Sequence, residues 1–240
     1  MRFIILAAGK SSRIYKEIGK IKCLLKIKKK SLISRAIIEL KKADKKAKIT
    51  VVTGFQQNKI KKELLSFKEI DYIYNRKFLN TDMLYSFYLA LKKYNDDLFF
   101  CYSDIIFSHK SFKKILRKKN GLYVPLKKNW LKIWKIRNKD PLKDAEHIKV
   151  YKNKILEIGK KIKDVSETKY QYMGLIFIPK KFRSIVIKNY KLLKNKKKMH
   201  LTTFLNQLVK RNCPVFFKST KEVWYEFDDY NDFINFKKRI

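Results

Sequence analysis

The chain has 240 residues, of which 45% are hydrophobic and 14% aromatic, and it carries a formal charge of +39. This length and apolar content are enough for one domain with a large core. No segment reaches the roughly 20 apolar residues of a membrane-spanning helix, and residues 3–8 are too short for a signal-peptide core. Cys23, Cys101 and Cys213 form no CxxC pair, which argues against a disulfide framework or a zinc knuckle. We therefore expect a cytoplasmic protein without a transmembrane segment.

The positive charge comes from 60 Lys and Arg residues against 21 Asp and Glu residues. A charge of this size suggests nucleic acid or an anionic membrane surface as a partner. The excess is mostly lysine and is spread along the whole chain, whereas recognition of base edges favours arginine. We therefore favour a solvated basic surface with no specific nucleic-acid partner. A basic nucleic-acid-binding protein is the alternative from another functional class, although no RNP, KH, helix-turn-helix or zinc-finger pattern supports it.

Short apolar segments alternate with amphipathic segments over the first half of the chain. The apolar segments predict buried strands at 3–8, 49–53, 70–74, 98–102 and 122–124. The amphipathic segments predict helices at 31–43, 59–67 and 81–94, with Ser31 and Thr81 as N-caps. This alternation indicates an α/β fold with a mostly parallel sheet and helices on both faces. Such sheets bind ligands at the carboxyl ends of their strands.

The second half of the chain begins with a segment of weak periodicity and many charges at 125–172. This pattern favours an insertion on the core sheet over an independent domain. Regular elements then return, with strands at 173–178, 214–218 and 223–227, helices at 180–194 and 201–211, and a last helix from about Asp229. We therefore expect a single domain over 1–240, with a core of about 1–124 and 173–240 and an insertion of about 125–172.

A strand-like segment runs directly into a small basic loop in the stretch LAAGKSSR (6–13). Gly9 allows the backbone to approach a ligand, and consecutive N–H groups of such a turn form an anion nest. Arg13 adds a planar fork for phosphate oxygens. The alternative is an ordinary strand-to-helix turn that carries basic residues, and the residues alone favour it. The spacing matches neither a P-loop nor a dinucleotide fingerprint.

The same stretch, followed by KCLL (22–25), resembles the signature LAAGxGxR and PKxLL of nucleotidyltransferases that activate sugar phosphates and small phosphorylated alcohols. Ser11 stands at the second glycine, as in the related molybdenum-cofactor guanylyltransferases, and Ile21 replaces the proline. Further similar segments follow in the family's order, namely VVTGF (51–55), YNRKFLNTDMLYSFYLA (74–90), YSDIIF (102–107) and WYEFDDYNDF (224–233). The chain therefore resembles the superfamily of sugar-phosphate and MobA-like NTP transferases, and most of all its phosphocholine cytidylyltransferase branch.

This resemblance implies a three-layer Rossmann-like nucleotidyltransferase fold with a site for a nucleoside triphosphate and Mg²⁺. It implies Asp104 and Asp228 as metal ligands, and Arg13 and Lys22 as catalytic cations. It implies nucleotide contacts from the first loop and from the start of the third helix, at Leu6, Ala7, Ala8, Gly9, Ser11, Ser12, Asn80, Thr81, Asp82 and Ser86. It implies acceptor contacts in or beside the insertion, at Trp130, Trp134 and Tyr172. We add Asp144 as a candidate for an acceptor amine. We also add Glu226, because it lies two residues before Asp228 in an extended strand and faces the same side.

Several of these assignments have simpler alternatives that the sequence leaves open. Asp104 is also suited to a turn, and Asp228 or Asp229 to the N-cap of the last helix. Four aromatic residues form either a wall for a quaternary ammonium group or the packing of the insertion, namely Trp130, Trp134, Tyr170 and Tyr172. Asp144 and Glu146 are alternative groups for recognising an amine. The basic residues around them also allow an acceptor that carries both an amine and a carboxylate.

The resemblance implies a cytidylyltransferase that joins CTP to a small phosphorylated acceptor and releases pyrophosphate. The acceptor would be phosphocholine or a phosphorylated amino compound, and the product would supply a surface polysaccharide or lipid. The alternative within the superfamily is a sugar-1-phosphate nucleotidylyltransferase, because the same loop and metal ligands would serve it. A homodimer is compatible with the resemblance, and the residues do not decide it.

Overall fold

The structure is a computed structural model that describes residues 1–137, 140–194, 196 and 199–238. Its strands are β1 (Arg2–Ala7), β2 (Lys26–Ile27), β3 (Lys30–Ser31), β4 (Lys48–Thr53), β5 (Ile70–Tyr74), β6 (Leu98–Tyr102), β7 (Ile105–Phe107), β8 (Leu122–Lys128), β9 (Glu146–Tyr151), β10 (Lys154–Lys161), β11 (Tyr170–Tyr172), β12 (Leu175–Ile178), β13 (Val215–Thr220) and β14 (Trp224–Glu226). Its helices are α1 (Ser12–Ile18), α2 (Leu32–Ala43), α3 (Gln57–Glu63), α4 (Met83–Lys93), α5 (Leu131–Arg137), α6 (Arg183–Lys191), α7 (Leu201–Lys210) and α8 (Tyr230–Lys237).

Ten strands of the described chain form one mixed sheet, in the order β5-β4-β1-β6-β12-β8-β13-β10-β9, with β11 added beside β8. β1 pairs in parallel with β4 and β6, and β4 pairs in parallel with β5, as the strand–helix alternation predicts. β12 runs antiparallel to both β6 and β8 and makes the second half of the sheet mixed. The predicted α/β fold is therefore confirmed, with its parallel strands concentrated in the first half of the chain.

Successive residues of β1 belong to two different cores, because side chains of a strand alternate between its faces. Phe3, Ile5 and Ala7 pack in the cluster that includes apolar residues of α2, α3 and α8. Ile4 and Leu6 pack in the cluster that includes apolar residues of α4, α6 and α7. Helices therefore cover both faces of the sheet and give the three layers that the resemblance implies.

Two of the three predicted helix caps are found, and one is wrong. The hydroxyl of Ser31 accepts the backbone N–H of Ser34 at 3.2 Å and caps α2. Asp229 caps α8 through a capping box with Asp232, so Asp228 is not the cap. The cap position of α4 is Asp82 and not Thr81, whose hydroxyl instead donates to the carbonyl of Lys77 at 2.8 Å. Thr81 therefore closes the preceding turn and does not begin the helix.

The segment 125–172 is more regular than its weak periodicity indicates. It completes β8, forms α5, and then forms a hairpin in which β9 pairs antiparallel with β10. β10 also pairs with β13, so the hairpin extends the main sheet. The alternation of apolar and polar residues that is typical of strands is weak here for two reasons. The outer face of the hairpin is charged, and two register shifts interrupt the pairing.

A separate pair of short strands lies next to the carboxyl end of β6. β14 pairs antiparallel with β7 and places Glu226 opposite Ile105. The backbone N–H of Phe227 donates to the carbonyl of Asp104 at 3.1 Å. This pairing joins distant parts of the chain and brings Asp104, after β6, beside Asp228, after β14.

All three cysteines are buried and free, so no disulfide contributes to the fold. Burial raises the pKa of the Cys23 and Cys101 thiols, which keeps them protonated. Within the described ranges, no helix has the length and apolar character needed to cross a membrane.

Candidate active site

A cleft of about 710 Å³ opens at the carboxyl ends of β1 and β6. The first loop, the start of α4, the β9–β10 hairpin, the start of α7 and the end of β14 all contribute to its walls. The predicted site residues that line it are Leu6, Ala8, Gly9, Arg13, Lys22, Thr81, Asp82, Ser86, Asp104, Asp144, Tyr172, Glu226 and Asp228. Segments spread over the whole chain therefore meet in one place.

The first loop borders open space in this cleft. A Cβ atom built on Gly9 would meet no atom within 4 Å, so the backbone at Gly9 is accessible to a ligand. Ser11 has a φ of 55°, in the left-handed region that favours glycine, and this is the position of the second glycine in LAAGxGxR. The Ser11 hydroxyl oxygen accepts the backbone N–H of Lys22 at 3.2 Å. The loop is therefore tied to the segment that carries Lys22.

Lys22 bridges the two aspartates that the resemblance implies as metal ligands. Its Nζ lies 3.1 Å from Oδ2 of Asp104 and 3.5 Å from Oδ1 of Asp228. Nη2 of Arg13 lies 3.9 Å from Oδ1 of Asp228, with 68% of the Arg13 side chain exposed at the mouth of the cleft. The structure thus brings together the four residues to which the resemblance assigns catalysis and metal binding.

The carboxylates around Lys22 determine its charge. Burial lowers the pKa of an ammonium group, but the carboxylates of Asp104, Asp228 and Glu226 outweigh it, and the pKa of Lys22 is raised. Lys22 is therefore charged at physiological pH. The pKa of Glu226 is raised well above its usual range. Burial is the main cause, and the negative charges of Asp228 and Asp104 add to it.

Arg137, at the end of α5, connects the insertion to the aspartate pair. Its guanidinium donates from Nε and Nη2 to Asp232 at 3.1 Å, and Nη2 also contacts Asp228. The Arg137 and Asp232 side chains are both fully buried. The ring centroid of Trp134 lies 4.8 Å from Cζ of Arg137. From the sequence, Arg137 is one of the basic residues that would suit an acceptor carboxylate. In the structure its guanidinium instead pairs with Asp232 and Asp228, and this pairing depends on the fold.

The two aspartates fit Mg²⁺ held jointly with phosphate. No group of three or more His, Cys, Asp or Glu side chains in the described part of the chain is arranged to hold a metal ion. Mg²⁺ needs only one or two protein carboxylates when phosphate oxygens and water complete its octahedron. Oδ1 of Asp104 is buried and has no hydrogen-bond partner among the described residues. An unpaired buried carboxylate oxygen is the kind of ligand that Mg²⁺ prefers.

Asn75 organises the wall of the cleft at the start of α4. Its Nδ2 donates to Ser86 at 3.1 Å and to Thr81 at 3.3 Å, and its Oδ1 accepts the backbone N–H of Lys77 at 2.9 Å. Ser86 is buried and lines the cleft. Because the Ser86 oxygen accepts from Asn75, its own O–H is available to donate to a ligand. Asn75 itself also lines the cleft, although only its neighbours were predicted to do so.

Of the four aromatic residues predicted to form a wall, Tyr172 lines the cleft, whereas Trp130, Trp134 and Tyr170 do not. Trp130 and Trp134 are 2% and 1% exposed, and neither lines the cleft. Their rings pack edge to face, and Trp134 stacks on Trp224. The alternative, in which these tryptophans pack the insertion, is therefore the one observed, because large apolar rings contribute most when fully buried.

Four predicted nucleotide contacts also lie outside the lining of the cleft. They are Ala7, Ser11, Ser12 and Asn80. Ala7 faces the opposite core from Leu6, and Ser12 is the exposed first residue of α1. Residues that line the cleft but were not predicted to do so include Tyr102, Lys161, Gln171, Gly174 and 199–203. Tyr102 begins the segment YSDIIF at the end of β6, but no local motif identifies the others. Lys161, Gln171 and Gly174 reach the cleft through β10, β11 and the turn before β12, and 199–203 reach it at the start of α7.

Comparison with known proteins decides the family. The MobA-like NTP transferase domain matches residues 3–125. A CTP:phosphoglutamine cytidylyltransferase of Campylobacter jejuni subsp. jejuni serotype O:2 is 32% identical over 252 aligned positions, which cover 97% of each chain. This chain belongs to the MobA-like NTP transferase family. The protein is accordingly a nucleotidyltransferase, as its motifs predict.

Two solved structures extend the match of this transferase beyond its first half. The inositol-1-phosphate CTP transferase from T. maritima has a TM-score of 0.78 at 20% identity, covering 99% of this chain and 94% of that one. The CTP:phosphocholine cytidylyltransferase from Streptococcus pneumoniae has a TM-score of 0.74 at 16% identity, covering 99% and 98%. At these identities the likeness is one of fold, and the fold includes the segment 125–172.

Proposed function

We propose that this transferase is a cytidylyltransferase that joins CTP to a small phosphorylated amino compound and releases pyrophosphate. The observation that carries the proposal is the cluster of Arg13, Lys22, Asp104 and Asp228 beside the open backbone of Gly9. The choice of CTP and of an amino acceptor is supported by the relative that acts on phosphoglutamine, which matches nearly the whole chain.

The reaction needs two anions to approach each other. A phosphate oxygen of the acceptor attacks the α-phosphorus of CTP, the bond from that phosphorus to the bridging oxygen breaks, and pyrophosphate leaves with the bond's electron pair. Lys22 and Arg13 provide positive charge where the phosphate oxygens meet, and positioning supplies most of the remaining rate. Mg²⁺, when held by Asp104 and Asp228, neutralises phosphate charge.

Ser86 is our candidate for recognition of the base. Its hydroxyl is held by Asn75 with its proton free to donate, and cytosine offers two acceptors, O2 and N3, on one edge. We propose that backbone groups of the first loop, which borders open space at Gly9, make the other contacts to the base. The nucleotide side of the cleft therefore extends from Gly9 to Ser86.

A pyrophosphate-release screen tests the proposed function. Four nucleoside triphosphates are combined with phosphoglutamine, phosphocholine, phosphoethanolamine and glucose 1-phosphate. We expect the highest kcat/KM with CTP and phosphoglutamine, at least about tenfold above any other pair. Preference for UTP or dTTP with glucose 1-phosphate would support the sugar-1-phosphate alternative, and no release with any pair would overturn the proposal.

We expect Lys22→Met to lower kcat by about 10²- to 10³-fold, because one preorganised charge in a closed site contributes that order of transition-state stabilisation. The measurement is pyrophosphate release at saturating CTP and acceptor. Lys16→Met, on the exposed side of α1, removes the same charge outside the cleft and serves as the matched control. A kcat for Lys22→Met within threefold of the wild type would show that Lys22 is not catalytic.

The finer parts of the function are proposals as well. We propose that Mg²⁺ is the metal, that the enzyme acts in the cytoplasm, and that its product supplies a capsule or lipopolysaccharide. We also propose that 125–172 is the acceptor-side insertion of a single domain, because its residues Asp144, Glu146 and Lys161 line the cleft.

Replacement of Mg²⁺ by Ca²⁺ tests the identity of the metal. Ca²⁺ tolerates looser coordination geometry than Mg²⁺, so we expect pyrophosphate release to be slower with Ca²⁺ than with Mg²⁺.

A further inference from the structure

One end of the cleft is built by the β9–β10 hairpin, β11 and the start of α7. We name it the hairpin subsite and define it by Glu146, Lys161, Gln171, Tyr172 and Thr202, all of which line the cleft. α7 lies close to β10 here, since a Cβ on Gly159 would come within 3.2 Å of the Thr202 side chain. The subsite is therefore held by backbone packing on two sides.

The subsite presents one negative and one positive side chain next to each other. Glu146 and Lys161 are directly opposite across the hairpin, and residues in this relation project from the same face. No ion pair joins them among the described residues; the carboxylate of Glu146 instead accepts the hydroxyl of Thr202 at 2.8 Å. Glu146 and Lys161 therefore present opposite charges to the cleft without pairing to each other. This arrangement complements a ligand that carries both a positive and a negative group.

A polar atom without a partner lies beside these charges. Oε1 of Gln171 is buried and has no hydrogen-bond partner in the described chain, and this residue is 6% exposed. Tyr172 follows Gln171 on β11 and lines the same wall of the cleft. Buried polar atoms in folded proteins are normally hydrogen-bonded, so Oε1 of Gln171 indicates a ligand that donates a hydrogen bond.

The start of α7 completes the subsite with backbone donors. His200 occupies the cap position of this ten-residue helix without a side-chain cap hydrogen bond, and 199–203 line the cleft. The N–H groups of a first helical turn are unpaired and carry partial positive charge, which suits a carboxylate. Burial also raises the pKa of Glu146, and a cationic ligand would relieve that cost.

We propose that the hairpin subsite binds the free amino-acid end of the acceptor, with Glu146 holding the α-ammonium and Lys161 and the start of α7 holding the α-carboxylate. This inference rests on the proposed function and specifies the acceptor as a phosphorylated α-amino acid. A quaternary ammonium group fits less well, because it has no N–H to donate to Glu146 or Gln171 and no anion for Lys161.

Binding of three acceptors tests this assignment. They are phosphoglutamine, its analogue without the α-amino group and its analogue without the α-carboxylate, titrated in the presence of Mg²⁺ and the α,β-methylene analogue of CTP. We expect each analogue to bind about 10- to 100-fold more weakly than phosphoglutamine, as for the loss of one charged hydrogen-bonding group. Equal affinity for the three acceptors would overturn the proposal.

Two substitutions assign the charges to residues. Glu146→Gln should weaken phosphoglutamine binding about tenfold or more and abolish the preference over the analogue without the amino group, while keeping the preference over the other analogue. Lys161→Met should abolish the preference over the analogue without the α-carboxylate and keep the preference over the analogue without the amino group. Glu157→Gln and Lys160→Met alter the same hairpin outside the cleft and should leave all three affinities unchanged. Equal weakening of all three acceptors in both subsite variants would overturn the assignment.

Turnover of the same acceptors separates this inference from the proposed function. Selective binding without pyrophosphate release from CTP would overturn the proposed activity and support the subsite. Pyrophosphate release at the same KM from all three acceptors would overturn the subsite and support the activity. Thermal unfolding of each variant checks that its fold is intact.

Discussion

Asp104→Ala is expected to lower kcat for pyrophosphate release by about 10³-fold with the fold intact. Oδ1 of Asp104 is buried and has no hydrogen-bond partner within the described ranges, and Oδ2 of Asp104 accepts from Nζ of Lys22. Its backbone carbonyl, which accepts from Phe227, is unaffected by the substitution. The variant therefore loses a ligand for Mg²⁺ and a partner of Lys22 while the pairing of β7 and β14 remains.

Asp228→Asn should have an effect of the same order, because Asp228 faces Lys22 from the other side. A second readout is the binding of Mn²⁺ in the presence of CTP, measured by electron paramagnetic resonance, which we expect both variants to weaken. Asp164→Asn, at an exposed capping box far along the chain, is the matched control. Wild-type Mn²⁺ affinity in both site variants would refute the metal assignment even if turnover were slow.

Arg137→Met is expected to destabilise the protein by about 3–5 kcal/mol, because it leaves the buried carboxylate of Asp232 without its guanidinium. The unfolding midpoint should fall by roughly 10 °C for a domain of this size. We also expect a lower kcat at temperatures where the variant is folded, since Asp228 loses the group that orients its second oxygen. Thermal unfolding followed by circular dichroism, and pyrophosphate release well below the midpoint, measure the two effects.

Two further variants make the Arg137 prediction sharper. Arg117→Met removes an exposed arginine and should leave both stability and turnover unchanged. Adding Asp232→Asn to Arg137→Met should restore part of the stability, because the buried negative charge that Arg137 balances in the wild type is then removed. Additive losses in this double variant would mean that the two side chains contribute independently, contrary to the geometry.

Six acidic residues of this basic chain lie in the cleft around Lys22. The chain has only 21 acidic residues against 60 basic ones, yet Asp82, Asp104, Asp144, Glu146, Glu226 and Asp228 all line one cleft. In the proposed function these carboxylates would hold a divalent cation and the amine of the acceptor. They lie among basic residues of the same cleft, including Arg13, Lys22 and Lys161. The +39 charge also favours the approach of anionic substrates from solution.

Local sequence was sufficient for the elements and motifs that depend on neighbours in the chain. The apolar run of β1 and the cap at Ser31 follow from short-range patterns, and the structure has both. The residues of LAAGKSSR alone favoured an ordinary turn, and the family resemblance implied a ligand-facing loop. The structure has Gly9 beside open space. Local sequence did not predict the hairpin of β9 and β10, whose outer face is charged and whose register shifts break the alternation.

The sequence by itself determined the family and the α/β fold, because the family motifs and the alternation of buried strands with amphipathic helices are local features. Only the tertiary structure decided which distant side chains meet: the pairing of β7 with β14 brings Asp228 to Asp104, and α5 carries Arg137 beneath them. It also decided that the tryptophans belong to the core and that Glu146 and Lys161 face the cleft. These contacts join residues that are far apart in the chain. Strand pairing and burial determine them, so no short stretch of sequence predicts them.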